Sequence, residues 1–393
     1  MTSKLEGKKI LIGVTSGIAI YKILDLISKL KKAGAKVQVI MTESAAKFVN
    51  PITFETMSDN PVYTDMWVHP GKVLHIDVTK DVDLFLIAPA TANTIAKVNA
   101  GIADNLVTAS ILASSAPVAF TVAMNTNMLQ NPITQRNIDN LKSYGYRFID
   151  SVVGHLACNT FGDGKMADPL DIIDWLESYF TEKDLLGKKI IVTCGATIAR
   201  MDPVRFITND SSGKTGYHIA NEARKRGAQV IYITGRVTTP DLRGVERVNV
   251  KTNLEMQQAI EEHFSNADAL VMAAAPVDFE FKEVRDQKLK KESDEEDIQF
   301  DMVKTTDILK SFGLEKTSQK IIGFAAETAN VVVNAQKKLM TKNADYIIAN
   351  DVSKEGAGFN YDTNIVSIVS SDGVKEYDKM SKQDVANIIL DLI

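Results

Sequence analysis

The sequence predicts an α/β protein made of two Rossmann-like doubly wound domains. At 393 residues the chain is too long for a single compact core, so two domains of ordinary size are expected. Two similar segments, residues 7–15 and 187–195, divide it. Each has the pattern of a short buried strand, a glycine turn and then a helix, which is how a nucleotide-binding α/β unit begins.

Short apolar runs predict the remaining strands in order. In the first half they lie at residues 36–41, 84–88 and 118–122, and in the second half at 229–233, 269–273, 320–324 and 345–349. Helical segments separate these runs, which favours parallel sheets covered on both faces. The polar stretch at residues 181–184 is the predicted linker, so we expect domains at residues 1–183 and 187–393.

The composition argues against a membrane, secreted or nucleic-acid-binding protein. With a formal net charge of −5, the chain has no general attraction to nucleic acid or to an anionic membrane. Charged residues interrupt the N-terminal segment and the apolar runs are strand-length, so neither a signal peptide nor a membrane span is expected. Two cysteines, Cys158 and Cys194, do not make a disulfide framework. We therefore expect a cytoplasmic protein in which one thiol could be catalytic.

Turns that follow predicted strands in the first half suit a phosphate. Ligands of doubly wound sheets bind beyond the carboxyl ends of the strands. Residues 13–19, 88–94 and 101–105 lie at such ends and offer small residues, hydroxyls and helix N-terminal amides. A full dinucleotide fingerprint is absent, which favours a mononucleotide. Taken alone, any one of these turns could be a plain strand-to-helix connection, and residues 13–17 are equally compatible with either interpretation.

Further motifs in the first half are specific. They are Val-Leu-His-Ile-Asp around His75, Met-Asn-Thr-Asn-Met at 124–128, Gly-His-Leu-Ala-Cys at 154–158 and Gly-Asp-Gly-Lys-Met at 162–166. With the turns above, they resemble the phosphopantothenoylcysteine decarboxylase family, flavin enzymes that act on a C-terminal cysteine. The resemblance covers nearly all of the first half and implies a flavodoxin-like domain that binds FMN. It implies FMN contacts from Gly13, Thr15, Ser16, Thr42, Ala88, Pro89, Thr91, Asn93, Asp104 and Asn105.

The same resemblance implies the roles of the reacting side chains. His75 would act as base or proton relay, Asn125 would hold the substrate carboxylate, and Cys158 would protonate an enethiolate carbon. Met124 and Lys165 would contact the substrate. Loss of carbon dioxide from a cysteine carboxylate needs an electron sink that the cysteine carbon lacks. The family therefore implies that FMN first oxidises the thiol side to a thioaldehyde and that the reduced flavin then returns the electrons.

The second half contains a polar string at residues 202–216, ahead of a predicted helix. Its glycine, hydroxyl and amide groups could line a phosphate or carboxylate site, but the spacing is not that of a Walker loop. This string, Met-Ala-Ala-Ala-Pro-Val-Asp-Phe at 272–279, Lys-Leu-Lys-Lys at 288–291 and Gly-Phe-Ala-Ala-Glu-Thr at 323–328 resemble phosphopantothenoylcysteine synthetase, whose bacterial form uses CTP.

The synthetase resemblance implies that Lys288 serves acyl transfer to the α-phosphate and that Asn209 handles the acyl-cytidylate. Arg205 and Ser212 would line the same site, Phe324 would lie against the base, and Lys338 and Lys342 would meet the triphosphate. The implied CTP contacts are Ala273, Ala274, Ala275, Asp278, Lys288, Thr305, Thr306, Asp307, Ile308, Phe324, Lys338 and Lys342. Magnesium is expected, held mainly by phosphates and water. No residue pattern discriminates CTP from ATP.

The sequence therefore predicts a bifunctional enzyme of coenzyme A biosynthesis. It would join 4'-phosphopantothenate to cysteine and then decarboxylate the product to 4'-phosphopantetheine. Its partners would be small-molecule substrates, without nucleic acid or membrane. The resemblance also implies homo-oligomers, with ligase dimers and decarboxylase trimers that build a dodecamer. Two alternatives remain at this point: a decarboxylase of peptidyl cysteine joined to a non-catalytic nucleotide-binding domain, and a non-catalytic FMN-binding regulatory protein.

Overall fold

The computed structural model describes residues 3–67, 73–157, 160–289, 299–351, 353, 354, 356, 358 and 361–393. The chain forms two compact units, Met1–Thr181 and Glu182–Ile393, each with its own sheet and apolar core. Both are built from parallel strands and helices, which confirms the predicted fold class. Among the residues described, no helix is both long enough and apolar enough to cross a membrane.

Unit 1 contains strands and helices that alternate along most of its length. The strands are β1 (Lys9–Val14), β2 (Lys36–Met41), β3 (Leu84–Ala90), β4 (Val118–Val122), β5 (Arg147–Ile149), β6 (Val152–His155) and β7 (Phe161–Lys165). The helices are α1 (Tyr21–Lys32), α2 (Glu43–Ala46), α3 (Pro51–Ser58), α4 (Leu74–Asp77), α5 (Ala92–Asn99), α6 (Leu106–Ala113), α7 (Thr126–Gln130), α8 (Pro132–Ser143) and α9 (Pro169–Phe180).

The described strands of unit 1 form a parallel sheet in the order β2-β1-β3-β4-β5, and β6 and β7 form a separate antiparallel hairpin. This is the flavodoxin-like order, in which the chain direction across the sheet reverses between β1 and β3. Alternate residues of each strand serve opposite faces. Ile10 and Ile12 therefore join the core beneath α1, whereas Leu11 joins the core beneath α6.

Among the described residues, unit 2 has more strands than unit 1. Its strands are β8 (Lys189–Cys194), β9 (Ile198–Arg200), β10 (Phe206–Thr208), β11 (Gln229–Thr234), β12 (Glu246–Asn249), β13 (Ala269–Met272), β14 (Phe279–Phe281), β15 (Met302–Lys304), β16 (Lys320–Glu327), β17 (Tyr346–Asp351), β18 (Thr363–Asn364), β19 (Val366–Ser370), β20 (Gly373–Glu376) and β21 (Met380–Ser381). Its helices are α10 (Lys214–Lys225), α11 (Asn253–Phe264), α12 (Ile308–Glu315), α13 (Val331–Lys342) and α14 (Lys382–Leu390).

The large sheet of unit 2 has the order β12-β11-β8-β13-β16-β17-β19-β20 among the described strands. Its first six strands are parallel and follow the Rossmann order, with the switch point between β8 and β13. The antiparallel edge made by β19 and β20 is a feature that the apolar runs did not predict. Helices α10 and α14 cover one face, and α11, α12 and α13 cover the other.

Candidate functional site

The turns after β1 and β3 meet at the switch point of unit 1. The hydroxyl of Thr15 donates a hydrogen bond to the carbonyl oxygen of Pro89 at 2.6 Å and lies 3.4 Å from the hydroxyl of Thr91. Pro89 follows Ala88 through a cis peptide bond. The structure therefore brings together residues from two of the turns that the sequence predicted to contact FMN.

The turns after β2 and β4 join the same edge. The amide of Thr42 donates to the carbonyl oxygen of Val14 at 3.0 Å, which ties the end of β2 to the end of β1. The amide of Ala123 donates to the carbonyl oxygen of Ala90 at 3.1 Å, which ties the end of β4 to the end of β3. All four strand ends therefore present their following residues at one edge of the sheet, as parallel strands require.

Side-chain oxygens at this edge cap the helices that begin there. Thr42, Thr91 and Asn105 cap α2, α5 and α6 by accepting hydrogen bonds from backbone amides of the first turn. Asp104 accepts from Lys97 at 2.5 Å and from Asn105 at 2.8 Å. The Lys97 contact lowers the pKa of Asp104, so this exposed side chain is a carboxylate at neutral pH.

The residues of this edge fit a flavin phosphate. Ser16 and Gly17 are both only half-buried, so a ligand can reach this turn. Gly13 has a different role. A Cβ there would lie 2.8 Å from Ile87, so glycine at this position lets β1 pack closely against its neighbours. Asn93 is exposed on the first turn of α5.

The hairpin of β6 and β7 docks onto the turn that carries Asn125. The amide of Met124 donates to the carbonyl oxygen of Gly164 at 3.0 Å, and the hydroxyl of Thr126 donates to the carbonyl oxygen of Asp163 at 2.5 Å. Gly164 has a φ of +112°, and a Cβ there would lie 2.1 Å from the carbonyl oxygen of Met124. Only glycine allows this approach.

The remaining predicted residues of unit 1 lie on separate elements. Asn125 caps α7 by accepting from the amide of Asn127 at 2.9 Å. Lys165 ends β7, and its side chain lies along Gly154 of the partner strand. His75 is half-buried on α4, which packs against α6. Cys158 lies outside the described residues.

Unit 2 has a cavity of about 850 Å³ at the carboxyl ends of its parallel strands. Its walls come from residues that follow β10, β13 and β15 and from β16 itself, together with lysines of α13. The predicted site residues among them are Asn209, Ser212, Ala273, Ala274, Ala275, Asp278, Thr305, Thr306, Asp307, Ile308, Phe324, Lys338 and Lys342. These residues are scattered over 134 positions of sequence (209 to 342), and the fold brings them to a single cavity.

Polar contacts fix the turn that follows β13 at the floor of this cavity. The side-chain amide (Nδ2) of Asn209 donates to the carbonyl oxygens of Ala275 and Pro276 at 3.2 and 2.9 Å. Asn253 donates to the carbonyl oxygen of Val277 at 2.8 Å, and the hydroxyl of Thr305 donates to the same oxygen at 2.7 Å. Asn253 lines the cavity and was not predicted, because nothing in its local sequence distinguishes it from a helix-start residue.

The α13 side of the cavity is cationic. The ammonium of Lys338 donates to the carbonyl oxygen of Phe324 at 2.6 Å, and Lys342 forms an ion pair with Asp307. Burial, followed by repulsion from Lys342, lowers the pKa of Lys338. Burial opposes ionisation of Asp307, but the hydrogen bonds from Lys342 and from the amide of Lys310 outweigh it and lower the pKa. These groups could neutralise part of a bound triphosphate.

Arg205 and Lys288 do not line this cavity as the described residues define it. Arg205 instead contacts Asp202, with its Nε and Nη2 at 3.0 and 2.6 Å from one carboxylate oxygen, and its Nη2 donates to the carbonyl oxygen of Leu289 at 2.7 Å. Asp202 is fully buried and also accepts from the amide of Leu289 at 3.1 Å. Asp202 thus ties the segment that carries Lys288 to the turn before β10.

Two further lysines line the cavity on the opposite side from α13. Lys214 begins α10 and Lys382 begins α14. Lys382 was not predicted, because a lysine at the start of a short amphipathic helix gives no signal in the sequence. No group of three or more His, Cys, Asp or Glu side chains in the part of the chain that the structure describes could hold a metal ion.

Comparison with known proteins identifies both units. A family model described as "Flavoprotein" matches residues 1–181, and one described as "DNA/pantothenate metabolism flavoprotein C-terminal domain" matches residues 185–393. The chain is 44% identical to the coenzyme A biosynthesis bifunctional protein CoaBC of Bacillus subtilis (strain 168), over 98% of this chain and 96% of that protein. It is 40% identical to the protein of that name from Vibrio cholerae serotype O1 (strain ATCC 39315 / El Tor Inaba N16961), over 99% of this chain and 98% of that protein. A crystal structure of the C-terminal domain of a coenzyme A biosynthesis bifunctional protein CoaBC is 39% identical to this chain. The match covers 53% of this chain and 94% of that chain, with a TM-score of 0.46.

Proposed function

The chain belongs to the family of coenzyme A biosynthesis bifunctional proteins, and on that premise we propose which unit performs each reaction and with which residues. Residues 187–393 ligate cysteine to 4'-phosphopantothenate, and residues 1–183 decarboxylate the resulting 4'-phosphopantothenoylcysteine. Similarity over nearly the full length of bifunctional relatives favours this over a decarboxylase with an inert second domain and over a regulatory protein.

The ligase reaction requires a carboxylate to acquire a good leaving group. Transfer of the 4'-phosphopantothenate carboxylate to the α-phosphate of CTP does this, with release of pyrophosphate, and the amine of cysteine then displaces CMP. Lysines that surround a phosphate stabilise the charge that develops during such transfer. Lys338 and Lys342 are suited to the triphosphate, because both line the cavity on its α13 side. Magnesium would bind mainly through the phosphates.

Asn209 and Lys288 carry the two proposed chemical steps of ligation. Asn209 lies in the cavity against the turn after β13, where an acyl-cytidylate would expose its carbonyl to cysteine. Lys288 lies on the segment held by Asp202, one residue before Leu289. We assign Lys288 to acyl transfer and Asn209 to the acyl-cytidylate, as the family resemblance implies. Ser212 adds a hydroxyl to the same wall.

The decarboxylase site is proposed at the carboxyl edge of the unit 1 sheet. When bound there, FMN supplies reversible two-electron chemistry that lets a cysteine carboxylate leave as carbon dioxide. Thr15, Thr91 and the half-buried Ser16 are suited to its phosphate. Asn125 would orient the substrate carboxylate, since its turn is fixed by the hairpin. His75 and Cys158 would move protons, and Lys165 with Met124 would contact the substrate.

The observation that most supports this proposal is the cavity of unit 2. Asn209, Asp278 and Phe324 are far apart in sequence, yet they line it together with both predicted triphosphate lysines. For oligomers and location, the proposal rests on the family resemblance alone: ligase dimers, decarboxylase trimers that build a dodecamer, and action in the cytoplasm.

A coupled assay tests the proposal. The purified chain is given 4'-phosphopantothenate, cysteine, magnesium and either CTP or ATP, and pyrophosphate and carbon dioxide are measured separately. We expect a yellow protein that releases both products with CTP. A colourless protein that takes up no FMN would contradict the decarboxylase assignment, and absence of pyrophosphate with either nucleotide would contradict the ligase assignment.

A further inference from the structure

Five lysines line the unit 2 cavity among the described residues, and four of them form two groups on opposite faces of the sheet; the fifth, Lys304, ends β15. Lys338 and Lys342 belong to α13, which packs on the face covered by α11, α12 and α13. Lys214 and Lys382 begin α10 and α14, which pack together on the other face. The ends of the central strands lie between the two groups. The cavity can therefore bind anionic groups at two separate positions.

The second group is built into the fold. Lys382 is only 2% exposed although it lines the cavity, and its ammonium lies 3.5 Å from the carbonyl oxygen of Gly358. Its backbone amide donates to the carbonyl oxygen of Asp362 at 2.9 Å. The ammonium of Lys214 contacts the carboxylate of Asp362 at 2.7 Å. The two lysines therefore flank the same aspartate.

Burial and the like charge of the neighbouring lysine both act against the positive charge of Lys382. Burial, followed by repulsion from Lys214, lowers the pKa of Lys382 to about 8. The side chain of Asp362 is 84% exposed, so solvent screens the stabilisation that its carboxylate provides. Burial and the charge of Lys382 also lower the pKa of the neighbouring His218. An anion placed between the lysines would offset both the burial and the repulsion.

Hydroxyl groups complete a wall suited to a tetrahedral anion. Ser211, Ser212 and Thr215 line the cavity beside Lys214, and together with the two ammonium groups they could donate hydrogen bonds to several oxygens at once. A phosphate group has the oxygens and the charge to accept them. A lone carboxylate has only two oxygens and one charge, so it would leave some of these hydrogen-bond donors without an acceptor.

We propose that Lys382 and Lys214 form a phosphate-binding subsite of the ligase cavity, distinct from the one provided by Lys338 and Lys342. This inference rests on the proposed ligase function. Both acid and nucleotide substrates carry phosphate, so the ligand is either the phosphate ester of 4'-phosphopantothenate or a phosphate of the nucleotide. The subsite would favour phosphorylated over unphosphorylated substrate and would position the reacting carboxylate at a fixed distance from its anchor.

The test compares Lys382→Met with the wild-type chain in steady-state ligation. Methionine keeps most of the apolar stem of lysine and removes the ammonium with its charge and its hydrogen-bond donors. Lys382→Arg keeps a charged donor and tests whether another cation restores binding. Lys310→Met is the control, because Lys310 is exposed on α12 and does not line the cavity as described. KM is measured for 4'-phosphopantothenate, CTP and cysteine in turn. Loss of a charge-assisted contact predicts a rise of about 10- to 100-fold in one phosphate-bearing substrate's KM.

The pattern of KM values identifies the source of the phosphate. A rise confined to 4'-phosphopantothenate, with lost preference over pantothenate, assigns the subsite to the acid, and a rise confined to CTP assigns it to the nucleotide. Unchanged values for both, or a rise only for cysteine, would overturn the inference. Calorimetry measures the affinity of the full chain for 4'-phosphopantothenate and for CTP, and it decides the question even if no ligation occurs. If the proposed ligase function is wrong, turnover is absent, but the wild-type and Lys382→Met proteins still differ in affinity for the phosphate-bearing ligand.

Discussion

At the scale of single residues, Asp202 shows how a buried charge can hold two separate segments of the chain together. Its carboxylate accepts hydrogen bonds from the amides of Val204, Arg205 and Leu289 at 2.7, 2.8 and 3.1 Å. The Arg205 guanidinium provides the compensating charge. The amide of Arg285 also donates to the carbonyl oxygen of Met201 at 3.0 Å, so residues 285–289 are attached at both ends. Lys288 lies between these attachments.

Replacement of Asp202 should therefore impair ligation, although the Asp202 side chain itself does not contact the substrate. In Asp202→Asn the amide side chain can present a donor where Arg205 and the Leu289 amide need an acceptor. We expect pyrophosphate release to fall at least about tenfold in kcat, with little change in the KM for CTP. Asp286→Asn is the matched control, because Asp286 is exposed in the same segment. Equal kcat for wild-type and Asp202→Asn proteins would exclude the positioning role.

Asp202 should also appear in the acid dependence of stability. Burial opposes its ionisation, but hydrogen bonds from the Val204, Arg205 and Leu289 amides and from the Arg205 side chain outweigh it and lower the pKa. A carboxyl group with a lowered folded-state pKa stabilises the protein above its unfolded value, about 3.9, and this contribution is lost as pH falls toward the folded value. The difference in unfolding free energy between wild-type and Asp202→Asn proteins should be constant from pH 8 to about pH 5 and shrink below about pH 4. Urea titrations at several pH values measure it, and a difference that grows on acidification contradicts the assignment.

Lys338 allows a second test at this scale. Lys338→Met should raise the KM for CTP about 10- to 100-fold, because it removes a partly buried ammonium from the wall assigned to the triphosphate. Lys337→Met, on the exposed neighbouring residue, should leave it unchanged. Since the pKa of Lys338 is lowered, CTP affinity of the wild-type protein should weaken as pH rises through a value below the ordinary lysine value of about 10.4. Affinity that is flat up to that value would argue against Lys338 as a ligand.

A local motif can be recognised in the sequence, whereas a cavity wall that folding assembles from separate segments cannot. Asn209 and Asp278 lie in recognisable strings and line the cavity. Lys382 lies 168 positions after Lys214 (382 − 214), in a helix whose sequence has only an amphipathic pattern. Arg205 was expected in the cavity wall, but its guanidinium contacts Asp202 and Leu289. Its predicted substrate contact remains a prediction.

At the scale of elements, the hairpin of β6 and β7 depends on one glycine. Gly164→Ala would place a Cβ 2.1 Å from the carbonyl oxygen of Met124 and force a φ of +112° on alanine. We expect a loss of about 3 kcal/mol in the unfolding free energy of unit 1 and loss of carbon dioxide release, because the turn of Asn125 would move.

Gly145→Ala is the control that separates the effect of backbone strain from the effect of a steric clash. Gly145 has a φ of +90°, but a Cβ there would meet no atom within 4 Å. This variant should lose only about 1–2 kcal/mol and keep its activity. Thermal unfolding and carbon dioxide release measure both variants, and equal losses in the two would mean that the hairpin contact is unimportant.

Strands with apolar runs were predicted well, and strands without them were not. The runs at residues 36–41 and 118–122 coincide with β2 and β4, because buried strands of parallel sheets are apolar on both faces. Strand β20 has four exposed residues and β7 contains two glycines, so neither has an apolar signal. Their positions are set by neighbouring strands and by backbone hydrogen bonds rather than by their own sequence.

At the scale of the whole molecule, each unit has a separate sheet, a separate pair of apolar clusters and a separate candidate site. The repeated strand, glycine turn and helix at the two openings predicted this division of structure, but repetition of fold cannot specify chemistry. The different reactions follow from the residues placed at the strand ends, which are hydroxyl-rich in unit 1 and lysine-rich in unit 2. Damage to one site should therefore leave the other reaction intact.

The most direct measurement of this claim is carbon dioxide and pyrophosphate release by two full-length variants given different substrates. Asn209→Asp should form little ligated product from 4'-phosphopantothenate, cysteine and CTP, yet decarboxylate supplied 4'-phosphopantothenoylcysteine at the wild-type rate. His75→Asn should release pyrophosphate at the wild-type rate and accumulate 4'-phosphopantothenoylcysteine without carbon dioxide. If either variant loses both reactions while remaining folded, or retains the one that its residue is assigned to, the account of two independent sites on one chain is contradicted.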